Sequence, residues 1–214
     1  MNLLITFTIV QLVTSSYADT ESPSLVAQSF KNDPLVSKVV RNPPSALIKV
    51  TYPGRKVSLG SRLEPAQTAG PPKSVSYEAD HEKLYTFMFL GPNLPPSGTV
   101  PLLQFLHWLI ANAPGDDVVK GDTIASYFPP VPYPDGFPYI FLVFEQNGPL
   151  NTTQIPNMSF ILSRPNFSLE KFAMEHHLNG PIAGNFMELS YLEFVPQVAT
   201  TAYYLLKAVL GALG

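Results

Sequence analysis

Cysteine is absent from the 214 residues. That excludes disulfide frameworks, thiol nucleophiles, iron–sulfur clusters and Cys-ligated zinc. Charge is scarce: Asp, Glu, Lys and Arg together make 14% of the chain, against a usual share of about 25%. The net charge is −3 and no basic run interrupts the sequence. Nucleic-acid binding needs clustered Lys and Arg, so no nucleic-acid partner is expected. No apolar run reaches the roughly 20 residues of a membrane-spanning helix, so integral membrane association is not expected. Catalytic signatures are missing too: there is no Gly-x-Ser-x-Gly elbow, no P-loop and no Gly-x-Gly-x-x-Gly. Glu175-His176-His177 has the residue types of a metal site without the spacing. Neighbours on a helix point about 100° apart, whereas ligands sit at i, i+3 or i, i+4. Asp116, Asp117 and Asp122 lack EF-hand spacing, and Asp80-His81-Glu82 reads as an exposed turn beside a strand. No catalytic residue, metal or cofactor is expected, and the chain reads as a non-enzyme.

Proline, in contrast, is abundant at 23 of 214 residues, about twice its usual ~5%. Long periodic helices do not fit between these prolines, so strands and ordered loops are expected to dominate. Apolar residues make 45% and aromatics 12%, enough for a large core, and disorder is not expected. The segments 84–90, 104–111 and 139–146 are nearly all apolar or aromatic, the mark of strands buried on both faces. Residues 46–52, 57–59, 74–77 and 186–194 read as further strands. In the 104–111 strand, a period of two places Leu103, Phe105, His107 and Leu109 on one face. Ser168 to Leu178 is a helix candidate, capped by Ser168 and stopped by Asn179-Gly180-Pro181.

Residues 1–18 are expected to be a signal peptide. Their apolar stretch ends in Ser16-Tyr17-Ala18, with small residues at −3 and −1 of a cut before Asp19. Secretion to the extracellular space follows, and with it N-glycosylation at the sequons Asn151, Asn157 and Asn166. Residues 19–29 are expected to be a flexible opening segment, 30–200 one domain, and 201–214 an apolar C-terminal helix packed on that domain.

The string Leu84-Tyr85-Thr86, Gly91-Pro92-Asn93-Leu94-Pro95, His107-Trp108, Asn112 and Gly115 resembles the phosphatidylethanolamine-binding protein (PEBP) family. There the corresponding text is a strand, Asp-Pro-Asp-Ala-Pro, and a Trp-His-His strand ending Asn-x-x-Gly. Residues 139–146 are similar to the family's Arg-Tyr-x-x-Leu-x-x-x-Gln strand. Phe172 with Pro181-Ile182-Ala183-Gly184 is similar to its Phe…Pro-Val-Ala-Gly segment. The start of secreted animal members is matched by residues 47–52, Gly60 and 71–73. The resemblance covers roughly residues 30 to 200. It implies a mainly β fold: a large central antiparallel sheet packed on a smaller sheet, with peripheral helices near the C-terminus. It also implies a small anion pocket, which in typical members takes a phosphate-like group through an Asp and two His.

This chain departs from that pattern at the pocket. The first Asp is Gly91, the second Asn93, the first His of the pair Leu106, and the His of Gly-x-His-Arg-Tyr is Phe137; Pro138 replaces the Arg. The second His is kept as His107, and Pro92, Pro95, Gly136 and Tyr139 remain. A pocket-lining Tyr corresponds to Phe194. Losing these polar partners removes hydrogen bonds worth about 1–3 kcal/mol each when charge is involved. Phosphate headgroups are therefore expected to bind weakly or not at all. A wall of Phe137, Tyr139, Phe141 and Phe194 would favour a small apolar, lipid-like or odorant-like ligand. The alternative is an interaction protein, such as a protease inhibitor or signalling regulator, acting through its surface on a protein partner.

Overall fold

The computed structural model describes residues 23–93, 104–131 and 137–189. The expected signal peptide, Pro95, Phe194 and the C-terminal apolar helix lie outside these residues. In chain order the regular elements are helices α1 (Pro23–Asn32) and α2 (Val36–Val39), then strands β1 (Ala46–Leu47), β2 (Lys49–Tyr52), β3 (Arg55–Lys56), β4 (Ser61–Leu63), β5 (Ser74–Ser76), β6 (Leu84–Pro92), β7 (Gln104–Pro114), β8 (Asp122–Ala125) and β9 (Pro138–Glu145). Helix α3 (Leu169–Glu175) and strand β10 (Asn179–Leu189) follow.

Seven strands form one sheet in the order β1-β10-β9-β6-β7-β8, with β4 also on β10; β3-β2-β5 form a second, smaller sheet. The centre of the large sheet is antiparallel, but β1 and β4 both pair with β10 in parallel. The large sheet is therefore antiparallel through its centre, as expected, and mixed where β1 and β4 join β10. The reason is local: residues 46–63 cross between sheets, touching β10 twice in the same direction.

Alternation along β6 and β9 sends Phe87, Phe89, Tyr139, Phe141 and Val143 to one face, where Ile48, Val50, Tyr52 and Val57 of the small-sheet region meet them. Met88, Leu90, Ile140, Leu142 and Phe144 go to the other face, against Val26, Phe30 and Val36 of the N-terminal helices and Leu169 and Phe172 of α3. Two covered faces explain why these strands read as unbroken apolar runs.

Several boundaries differ from the sequence expectation. The opening segment expected to be flexible over 19–29 is, from Pro23, helix α1, with Val26 and Phe30 fully buried. Phe30 packs edge-on against Phe186 at 5.2 Å. Gly184 lets the ring close: a Cβ there would lie 2.7 Å from Phe30 Cζ. Residues 46–52 split into two strands in two sheets. Residues 57–59 are not a strand; their neighbours β3 and β4 are. Helix α3 is shorter than expected, though Ser168 Oγ does cap it by accepting from Lys171 N at 3.2 Å. Asn179-Gly180-Pro181 opens β10, so that strand starts seven residues before the expected Phe186.

Candidate functional site

The register of β6 against β7 slips beside the retained histidine: Phe89 faces Trp108 while Leu90 faces Leu106. His107 is the extra residue of a β-bulge. The bulge breaks the period of two. Leu109 goes to the helix-covered face with Leu106, whereas Trp108 packs with the small-sheet face. Of the expected shared face of Leu103, Phe105, His107 and Leu109, Leu103 lies outside the described residues and the face holds for Phe105 and His107, whose rings lie 4.8 Å apart.

His107 is buried. Its ring touches Phe89 at 5.2 Å, Tyr139 edge-on at 5.3 Å and Phe128 at 6.0 Å. Nδ1 lies 3.0 Å from the Phe128 carbonyl oxygen. A carbonyl only accepts, so Nδ1 carries the proton and Nε2 keeps a lone pair. Burial dominates the titration and pushes the imidazole down to about 3; the Phe128 carbonyl opposes this and Arg164 reinforces it. At neutral pH the ring is uncharged, and Nε2 offers an anion no donor.

Gly91 sits in β6 opposite Phe105. A Cβ at Gly91 would lie 2.5 Å from Tyr139 Cε1 and 2.6 Å from His107 Nε2. The volume that an aspartate would need here is thus filled by two rings. The Tyr139 hydroxyl donates to the Val131 carbonyl and turns that side chain away from anion duty. Asn93 is likewise committed, donating from Nδ2 to Asn166 Oδ1 at 2.6 Å and accepting from Asn166 N at 2.9 Å. Pro92 is half-buried at the end of β6. Phe141 is fully buried and stacks on Phe89 at 4.2 Å and 4°. Phe137 is half-buried and packs against the same cluster.

Three aromatic residues at this place were not singled out from sequence. Trp108, Tyr127 and Phe128 are half-buried around His107. Trp108 meets Tyr127 edge-on at 5.8 Å, and Tyr127 stacks with Phe89 at 5.9 Å and 6°. The Tyr127 hydroxyl donates to Thr68 O at 2.7 Å. The available signal was the Tyr-Phe pair opening the proline-rich 127–138 stretch, and Trp108 next to the histidine.

Two polar locks hold the frame. Arg164 is buried and donates to the carbonyls of Met158 (2.8 Å), Ser126 (2.7 Å) and Ser159 (3.2 Å). It thereby ties the 158–164 loop to the strand end beside His107. At the far end of β7, Asn112 takes a left-handed φ of 56°. Its Oδ1 accepts from Gln146 Nε2 and Leu150 N, both at 2.8 Å, while Gln146 Oε1 accepts from Thr86 Oγ1 at 2.8 Å. The motif residues Asn112 and Gln146 are structural here.

All three sequon asparagines are exposed. At Asn151 and Asn157 the hydroxyl two residues on donates to the Asn Oδ1, at 2.7 and 2.5 Å. Asn166 instead uses its Oδ1 on Asn93, and its Ser168 caps α3. Among the described residues no group of three His, Asp or Glu is placed to hold a metal ion. His176 lies on Phe172 at 4.3 Å rather than in a metal cluster. No helix among the described residues is long and apolar enough to cross a membrane.

The phosphatidylethanolamine-binding protein family profile matches residues 53–187. The chain belongs to that family. Among its relatives, "Putative odorant-binding protein A5" of Drosophila melanogaster is 28% identical over 182 residues, covering 83% of this chain and 86% of that one. The "26 kDa secreted antigen" of Toxocara canis is 33% identical over 161 residues, 73% of this chain and 61% of that one. In structure the chain is similar to a carboxypeptidase Y inhibitor solved in complex with its cognate proteinase. There the TM-score is 0.66 at 18% identity, with 82% of this chain and 98% of that chain covered.

Proposed function

We propose that this PEBP-family chain is a secreted, non-catalytic binding protein that has given up the phosphate-like ligand and takes a small apolar or aromatic molecule weakly. One observation carries the reading: the Tyr139 ring and the uncharged His107 occupy the place where the family's carboxylate would enter at residue 91. An anion there would meet the Nε2 lone pair and the Tyr139 ring, while Arg164, the cation that acts on His107 among the described residues, already donates to the carbonyls of Met158, Ser126 and Ser159. The half-buried Trp108, Tyr127, Phe128 and Phe137 offer aromatic surface suited to an uncharged planar molecule. The name of the Drosophila relative is consistent with a small volatile ligand, and both relatives' names fit secretion. Among the described residues, His107 has no carboxylate or nucleophile beside it to make an acid–base pair, which supports a binding rather than a catalytic role.

Trp108 is the sole tryptophan, so its fluorescence reports on this place. Titration with N-phenylnaphthylamine is expected to give a saturable change at micromolar concentration. Phosphoethanolamine is expected to give none at millimolar concentration. Saturable binding of phosphoethanolamine overturns the reading. If neither probe binds, the second reading gains: an interaction protein acting through its surface. Phe137 packed against a filled aromatic cluster favours that second reading, as do Phe160, 63% exposed, and Leu162 nearby on the 158–164 loop.

A further inference from the structure

The chain is acidic overall, yet Lys49, Arg55, Lys56, Arg62 and Lys73 fall within 25 residues that contain one carboxylate, Glu64. They are spread too thinly to form a basic run, and the small sheet gathers all of them but Arg62, which lies on β4 of the large sheet. Thr51 pairs with Lys56 of β3 on one side and Ser74 of β5 on the other; Lys49 pairs with Ser76. Val50 and Tyr52 are buried beneath. By alternation Lys49, Thr51, Lys56, Ser74 and Ser76 share the outer face. Arg55, paired with Tyr52 at the turn end of β3, and Lys73, one residue before β5, are out of phase with that face and stand at its two rims; Lys73 N donates to Thr51 O at 2.7 Å. Lys49, Arg55, Lys56 and Lys73 are all exposed. From strand spacings of about 4.8 Å across and 3.3 Å along, their Cα atoms lie within about 10 Å of Thr51. That is on the order of one Debye length in physiological salt, so they act as one field. Among the described residues, Lys49, Arg55 and Lys73 have no ion-pair partner, whereas Arg62 is engaged by Glu188 at 3.1 Å. Glu78, two residues beyond Ser76, is a carboxylate that follows β5 in sequence.

We infer that the outer face of the β3-β2-β5 sheet is a docking surface for a sulfated polysaccharide. Lys49 and Lys56 beside the hydroxyls of Thr51, Ser74 and Ser76, with the exposed Arg55 and Lys73 at the rims, suit a chain bearing both sulfates and hydroxyls. A bilayer is disfavoured: none of the exposed large apolar side chains among the described residues, Leu25, Val119, Phe160, Leu162 and Met174, lies on this face, so these residues give it nothing to insert. The face is on the small sheet, away from the His107 place, so its failure and the failure of the apolar-ligand reading are independent.

The test is binding of the full secreted chain to immobilised heparin at increasing salt, with uncharged dextran and phosphatidylserine-containing vesicles as comparators. Heparin binding that weakens steeply between 50 and about 300 mM salt is expected. The triple variant Lys49→Gln/Arg55→Gln/Lys73→Gln is expected to lose at least tenfold in affinity. Lys120→Gln/Lys171→Gln, neutralised elsewhere, is expected to lose less than twofold. Both variants are checked for wild-type circular dichroism and melting. Absence of heparin binding, equal losses in the two variants, or preference for the vesicles overturns the proposal. Should the triple variant unfold, Lys49→Gln alone must still lose about threefold while melting as wild type, and failure to do so is decisive against it.

Discussion

His107 shows how one retained residue changes its chemistry when its neighbours change. Burial among Phe89, Phe105, Phe128 and Tyr139 pushes its pKa down to about 3 from an unfolded value of 6.5. The unfolded chain therefore binds a proton that the folded chain refuses. The stability contributed by the neutral ring is whole above pH 6.5 and is lost as pH falls from 6.5 towards 3, at about 1.4 kcal/mol per unit. Urea unfolding across that range should show this slope, and His107→Phe should remove most of it. A remainder is expected from His176, whose pKa is also lowered by burial. Gly91 makes the complementary prediction. Restoring the family residue with Gly91→Asp puts a carboxylate against Tyr139 and His107, combining overpacking with a buried charge. A loss of at least about 3 kcal/mol is expected from the urea midpoint, with no gain of phosphate binding. The absence of an aspartate was plain in the sequence. What was not plain was that the space had closed, because that depends on the Tyr139 ring arriving from another strand.

At the scale of elements, β7 departs most from its sequence pattern. Its apolar run is legible, but the bulge at His107 is not, since nothing in Phe-Leu-His-Trp-Leu marks the residue that will be left unpaired. The far end of β7 is held by Asn112, in left-handed backbone and bonded to Gln146 and Leu150. Asn112→Gly keeps the backbone and loses the bonds, at about 2–3 kcal/mol. Asn112→Ala adds the left-handed penalty and should cost about 1 kcal/mol more; paired urea denaturation separates the two. Helix α1 escaped the reading because its ten residues carry a weak apolar face, with Val26 and Phe30 as its fully buried residues. Its order comes from docking on β10, through the gap left by Gly184. The helix α3 cap at Ser168 was legible because a cap is a local bond. The start of β10 was not, because Gly-Pro stops a helix and opens a strand with equal ease until a partner strand is present.

Over the whole molecule, one mixed sheet is covered by a small sheet on one face and by helices on the other. The aromatic cluster around His107 lies on the small-sheet side, and the basic outer face lies beyond that small sheet. Binding at the two places is therefore predicted to be independent: heparin should leave the N-phenylnaphthylamine titration of Trp108 unchanged. Composition and pattern alone decide the mainly β class, the doubly buried strands and the exclusion of thiol chemistry, and the family resemblance adds which anion-site positions carry other residues. These follow from local residue types and from periods of two along a strand. Strand direction, the split of residues 46–52 between sheets, the bulge, the filling of the seat at Gly91 and the gathering of Lys49, Arg55, Lys56 and Lys73 are decided only by packing. Each depends on segments far apart in the chain meeting at a set register, and no local preference specifies that meeting.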